Sequence, residues 1–395
     1  MHKVFLTAII VCTLSPSARA VQVCDLNGQS VSPYNGSTTA SKTGLMRCRE
    51  GENGPVVREQ ELRDGVFMGV VRYYREGILQ REYSVNERGN RDGIAREFAA
   101  TAGSTNPLLS EENMRNGSTV GRSRNWLANG KLKRVAFHGD DGRELAMAAF
   151  TPQGLLNELR CAPRPLLAPD LDDAKLCGHD GGAPTTVALH RENGAVQARL
   201  MFERGERRKS ETLWDGGQLR EQQEITASGG VERNFSVEGV KRREVQWVTQ
   251  PDGARNRRVT TLEQEFHASG TLVSERRWRA TERGGELQLE QAWYLNGQPK
   301  EKREYLGVEN QVTRRETRFH DNGRVASEGL WLVKGRYDTL ASGVHKQFDD
   351  AGRLRREQHY DSKGRVSRER ELDESGRVVR DDELFEDGSR KSLSR

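Results

Sequence analysis

Between Leu354 and Tyr360 the side chains alternate along the chain: Leu354, Arg356, Gln358 and Tyr360 fall on one side, and Arg355, Glu357 and His359 on the other. A period of two is the signature of a β-strand. The next segments repeat it sparsely, with Val366 and Leu372, then Val378 and Leu384, as the apolar ends of one face. Glycines separate these segments at a constant step of 12, at Gly352, Gly364, Gly376 and Gly388. Each glycine closes a turn sequence such as D-A-G, S-K-G or E-S-G. Glycine accepts the positive φ that tight turns require. A helix reading fails on this punctuation, because each interior glycine costs a helix about 1 kcal/mol relative to alanine.

The rhythm recurs upstream at Gly65, Gly77 and Gly89, and at Gly130, Gly142 and Gly154. An internal period decides architecture ahead of other signals. The expected fold is all-β: an elongated array of antiparallel hairpin repeats in a twisted single-layer sheet, with a disulfide-bridged N-terminal cap. Expected boundaries are a signal peptide over 1–20, a cap over 21–57, repeats over 58–160, a proline-rich disulfide loop over 161–184, and further repeats over 185–395. Residues Ala99 to Asn113 read as a loop inserted between repeats.

Composition sharpens this picture. Hydrophobic residues make up 34% of the chain and charged residues 31%, with a net charge of +5. A thick two-sided core is hard to build from so few apolar residues. Opposite charges on neighbouring strands are expected to pair across the ladder, at roughly 0.2–1 kcal/mol each. The first residues, a basic MHK, an apolar run from Val4 to Leu14 and Ala18-Arg19-Ala20, have the grammar of a secretory signal. Cleavage is expected near Ala20, giving an exported, periplasmic chain. Cys24, Cys48, Cys161 and Cys177 then remain, an even count that suggests disulfides in an exported protein. Sequence order makes Cys24–Cys48 and Cys161–Cys177 the simplest of three pairings.

Aromatic residues gather just before turns: Tyr73, Tyr74, Trp126, Trp214, Trp293, Tyr294 and Trp331. They are candidate anchors for a partner, since Trp, Tyr and Arg dominate binding hot spots; the alternative is that they form the thin core. Histidines such as His267 and His320 recur at the same repeat offset, which points to strand environment rather than to a site. No catalytic group, metal set or cofactor motif is expected: G-x-S-x-G, C-x-x-C and phosphate-cradling glycine loops are absent. Acids interleave with the basic residues throughout, which argues against nucleic acid as a partner.

The stretch DGVFMGVVRYYREGILQREYSVNERG resembles the bacterial variant of the MORN repeat, through Gly65, Gly69, Tyr73, Tyr74, Gly77 and Leu79. Gly117, Gly121, Trp126, Gly130 and Leu132 follow the same pattern with one extra residue. Gly335, Gly343, Phe348, Gly352 and Leu354 follow it with an insertion. The resemblance implies a scaffold that binds protein, of the antitoxin or immunity kind: a non-enzymatic, exported chain holding a cognate toxin inactive. The alternative is a structural scaffold or adaptor at the cell envelope. Contact with a membrane surface is compatible with either and required by neither.

Overall fold

The structure, a computed structural model, describes residues 22–99, 106–181, 183–253, 255–308, 311–335 and 338–393. The expected signal peptide lies outside these residues. The chain divides into two units between Asp173 and Ala174. Nearly all regular structure is antiparallel strand, with two four-residue helices, α1 (Gly36–Thr39) and α2 (Asp173–Leu176). No helix of the described residues is long and apolar enough to cross a membrane.

One sheet comprises β1 (Gln22–Leu26), β2 (Gln29–Val31), β3 (Gly44–Glu50), β4 (Val56–Arg63), β5 (Val66–Arg75), β6 (Ile78–Val85), β7 (Gly93–Phe98), β8 (Leu108–Arg115), β9 (Ser118–Trp126), β10 (Leu132–His138), β11 (Glu144–Phe150) and β12 (Leu156–Arg160). Its order is sequential from β12 to β3, after which β1 lies between β3 and β2. The other sheet runs in strict sequence order through β13 (Thr185–His190), β14 (Val196–Glu203), β15 (Glu206–Leu213), β16 (Leu219–Thr226), β17 (Gly229–Phe235), β18 (Lys241–Asp252), β19 (Arg255–Phe266), β20 (Leu272–Thr281) and β21 (Gly284–Trp293). It continues through β22 (Pro299–Val308), β23 (Gln311–Phe319), β24 (Val325–Val333), β25 (Thr339–Phe348), β26 (Leu354–Tyr360), β27 (Val366–Leu372), β28 (Val378–Leu384) and β29 (Arg390–Ser392). Apart from β2 and β3, consecutive strands within each sheet pair with one another, so both sheets are built as β-hairpin meanders.

Of residues 21–57, expected as a cap, those described contribute β1, β2 and β3 to the first sheet, and Cys24, Leu26, Val31, Met46 and Cys48 form a small apolar cluster with Leu62 of β4. Cys24 and Cys48 face each other in register and are joined as a disulfide. Cys161 and Cys177 are likewise disulfide-bonded. These bonds fit an oxidising, exported environment. The segment Ala99 to Asn113, expected as a loop, departs from that reading: β8 begins at Leu108 and pairs with both β7 and β9. The polar run SEEN misled because its strand faces carry charge pairs instead of apolar residues.

The 12-residue step resolves into a seven-residue strand and a five-residue connection, as in β26, β27 and β28. In the connection D-x-x-G-R the aspartate amide donates to the carbonyl of the arginine four residues on, and the glycine amide donates back to the aspartate carbonyl. This is a type I turn followed by a left-handed residue, the three-residue hairpin loop that leaves a bulge. The ten glycines named above have φ between +74° and +91°. The aspartate side chain locks the loop. Asp361 Oδ1 accepts from Lys363 N at 2.8 Å and Arg365 N at 2.9 Å, and Asp349 and Asp373 repeat the arrangement. Other hairpins close with two residues, both left-handed, as at Asp64-Gly65 and Asn116-Gly117. Glu76-Gly77 and Arg204-Gly205 do the same with side chains poorly suited to that conformation, at φ of 52° and 50°.

Two substitutions separate backbone strain from contact. Gly376 has open space where a Cβ would stand, whereas a Cβ at Gly364 would lie 2.4 Å from Leu340 Cδ1. We expect Gly376→Ala to destabilise by about 1–2 kcal/mol, from the left-handed backbone alone, and Gly364→Ala to destabilise by more. Glu76→Gly is expected to stabilise by a few tenths to about 1 kcal/mol. Chemical denaturation of the three variants checks the order.

Candidate interaction surface

The surface is built by cross-strand register. Arg47, Glu59, Arg72, Glu82, Arg96, Glu111 and Arg124 occupy successive opposed positions on β3 through β9. Opposed residues project to the same face, so the charges form one alternating row. Arg47 reaches Glu59 at 3.1 Å, and Arg72 reaches Glu59 at 3.5 Å and Glu82 at 2.7 Å. Arg96 reaches Glu82 at 3.6 Å and Glu111 at 2.8 Å, and Arg124 pairs with Glu111. The row ends on Asp170 of the proline-rich segment, held by Arg122 at 3.2 Å and Arg124 at 3.4 Å.

The second sheet repeats the device. Glu263, Arg276, Glu290, Arg303 and Glu316 are opposed in sequence on β19 through β23, with Arg243 reaching Glu263 at 2.6 Å. From β20 onward, the buried side chains among the described residues are the carboxylates Glu275, Glu316, Glu369, Asp381 and Asp382. A lone buried carboxylate is costly, and here each has cations. Glu316 takes Arg303 at 3.3 Å, Arg314 at 3.2 Å and Arg318 at 2.9 Å. The arginine stems cover the row while their heads stay in partial contact with water.

An Arg-x-Tyr pair ties tyrosine into each row. Tyr74 Oη donates to Glu59 Oε2 and Tyr305 Oη to Glu290 Oε2, both at 2.8 Å. Burial and then the facing carboxylate push both phenols up to about 12. Burial alone would raise Glu59 and Glu111. Tyr74, Arg47 and Arg72 around the first, and Arg96 and Arg124 around the second, outweigh it and hold both below the usual carboxylate range. The serine and backbone bonds of its turn hold Asp373 at about 2.

The seven candidate aromatics are all half-buried, none freely exposed. Tyr74 and Trp126 share the row's face, with Arg124 5.5 Å from the Trp126 ring, whereas Tyr73 lies on the opposite face between Arg58 and Tyr83. Arg220 lies 4.8 Å from Trp214 and Lys300 5.7 Å from Tyr294, whose hydroxyl donates to the Phe319 carbonyl. Trp293 stands at its strand end opposite Pro299. Trp331 belongs to a run of Arg314, Trp331, His345 and Tyr360 with spacings of 5.3, 4.5 and 4.4 Å, the rings tilted to one another by 54° and 47°. A Cβ at Gly329 would fall 2.7 Å from the His345 ring, so this mid-strand glycine makes room for the imidazole, whose Nε2 donates to the Leu330 carbonyl at 2.8 Å. Trp247, under Arg258 at 3.4 Å, Tyr305, His345 and Tyr360 are not among the candidate anchors read from sequence. Three of these lie mid-strand; Tyr360, like them, is recognised by the cross-strand neighbours it meets.

Sheets of this kind present fixed arginines and aromatics over a wide area. No family model matches the chain, and no curated protein matches it in sequence. Among solved structures it is similar to part of TcdB2-TccC3-Cdc42, at 10% identity and a TM-score of 0.18, covering 88% of this chain and 20% of that one. It is similar also to TcdB2-TccC3 without its hypervariable C-terminal region, at 10% identity and a TM-score of 0.15, covering 93% of this chain and 24% of that one. The chain thus spans a quarter or less of the length of these structures, and similarity at these scores carries nothing about activity.

The shifted groups fix the pH response. Carboxylates with lowered folded pKa stabilise above their unfolded values, near 4, and lose that contribution as pH falls through the folded values. Tyr74 and Tyr305 are raised, so they stabilise below about 10 and lose this as pH climbs toward about 12. We expect a thermal midpoint that is flat from about pH 5 to 9, falls steadily toward pH 2 and falls again above pH 10. Scanning calorimetry across this range checks it; a midpoint that rises on acidification contradicts the assignment.

Proposed function

We propose that the chain is a periplasmic protein-binding repeat protein that holds a toxic effector, such as an envelope-degrading enzyme, inactive. The observation that supports this reading is the pair of open sheets, of 12 and 17 strands, whose faces carry arginine, tyrosine and tryptophan fixed by cross-strand partners. Those residue types dominate binding hot spots, and side chains already held in place lose less entropy on docking. The resemblance to MORN repeats of the antitoxin or immunity kind, the N-terminal signal and the disulfides agree with it. Neutralisation in this reading is steric: the sheet face covers the effector's working surface and performs no chemistry of its own.

The reading is tested by directing an effector encoded beside this chain to the periplasm, with and without the chain. Protection of the cells and a stable purified complex are the expected results. Absence of both overturns the proposal. Envelope defects on deletion of the chain, with no effector present and none captured, favour an envelope scaffold instead.

A further inference from the structure

Part of the second sheet does not close its ladder. β19 pairs with β20 only from Leu262↔Arg277 to Phe266↔Leu272, yet the β20–β21 hairpin runs on to Thr281↔Gly284. β21 in turn pairs with β22 only from Leu289↔Glu304 to Trp293↔Pro299, while the β22–β23 hairpin continues beyond Gly307↔Val312. The hairpin tip around Arg283 is therefore flanked by two clefts. One, of about 450 Å³, opens toward β19 and is lined by Arg257, Arg258 and Trp278; the other, of about 710 Å³, opens toward Gly307 of β22. Gly284 and Gly285 line both and bring no side chain into either.

An antiparallel strand that outruns its neighbour keeps a row of outward N–H and C=O groups, which is a template for another strand. Across the cleft beside β19, a side chain takes one such group: Arg257 donates to the Glu282 carbonyl at 2.7 Å. Its Nε is buried without a hydrogen-bond partner. Arg258 covers Trp247 and reaches Glu232 at 3.7 Å, and Arg283 stands exposed at the tip. The one acid lining this cleft, Glu263, is already taken by Arg243 at 2.6 Å and Arg276 at 3.8 Å. On the other side of the tip, Glu286 is bound by Arg279 at 2.5 Å. The cleft beside β19 thus combines an open backbone edge with guanidinium groups in excess of carboxylates.

We infer that this cleft takes an extended acidic segment of a partner protein, added as a strand at the open edge of β19 with its carboxylates on Arg257 and Arg283. Main-chain bonds supply the binding and alternate side chains the selectivity, the mode known as strand addition. The inference rests on the protein-binding reading above and names the chemistry of the partner.

The test uses the full mature chain with its disulfides formed and a fluorescent peptide alternating glutamate and threonine as probe. Controls are a lysine–threonine peptide and the acidic peptide with alternate backbone nitrogens methylated. The acidic probe is expected to bind, the lysine peptide not to bind, and methylation to weaken binding about tenfold. Arg257→Gln with Arg283→Gln is expected to weaken it about tenfold as well. Amide exchange over Arg257–Thr260 of the unaltered protein is expected to slow on binding, which keeps the test independent of how well the variant folds. Failure of the acidic probe to bind, or binding that ignores both methylation and the arginine substitutions, overturns the inference. If an effector is captured while the probe fails, the cleft falls and the protein-binding reading stands. If the probe binds and no effector is captured, the reverse holds.

Discussion

A sheet whose buried side chains are carboxylates must neutralise them in place, and that requirement organises the second sheet beyond β19. Beyond β19 no apolar side chain is buried among the described residues; the buried side chains are Glu275, Glu316, Glu369, Asp381 and Asp382, divided between the two faces of the sheet. Each meets arginine on its own or an adjacent strand. One exposed pair contributes little, but in a row each arginine serves carboxylates on both sides. The rows also fix register. A one-residue slip would turn Glu316 and Arg303 to the opposite face and leave like charges opposed.

Turns and rows depend on each other. The five-residue D-x-x-G-R connection reverses the chain after seven residues, which returns Arg370 opposite both Glu357 and Asp381. The turn arginine is part of the same electrostatics: Arg365 pairs with Asp361 at 2.8 Å and with Glu386 on the next-but-one connection. Where a bulky side chain must lie across the strand, a second kind of glycine appears inside it, as Gly329 does under His345 and Gly230 beside Trp247.

Much of this was legible in the chain. Turn glycines at a constant step, short alternating segments and interleaved charges lead to hairpin meanders, and the Cys24–Cys48 bond belongs to the simplest of the three pairings that four cysteines allow. Less visible was β8, whose SEEN run carries no apolar alternation because Glu111 belongs to a charge row. The aromatics were readable as a class but not by face: Tyr73 and Tyr74 are adjacent in sequence and point to opposite sides. Nothing in local sequence marks where β19 stops pairing with β20, since both strands continue with ordinary strand residues. That boundary depends on how neighbouring hairpins diverge.

The most direct measurement of the central claim is a double-mutant cycle on one rung of the row, Arg72→Gln and Glu82→Gln, whose charged atoms stand 2.7 Å apart. Register-locked pairing predicts a coupling of about 0.5–1 kcal/mol at low ionic strength that shrinks at high salt. Additive effects of the two substitutions, with no coupling at either ionic strength, would show that the rows decorate a sheet held together by something else.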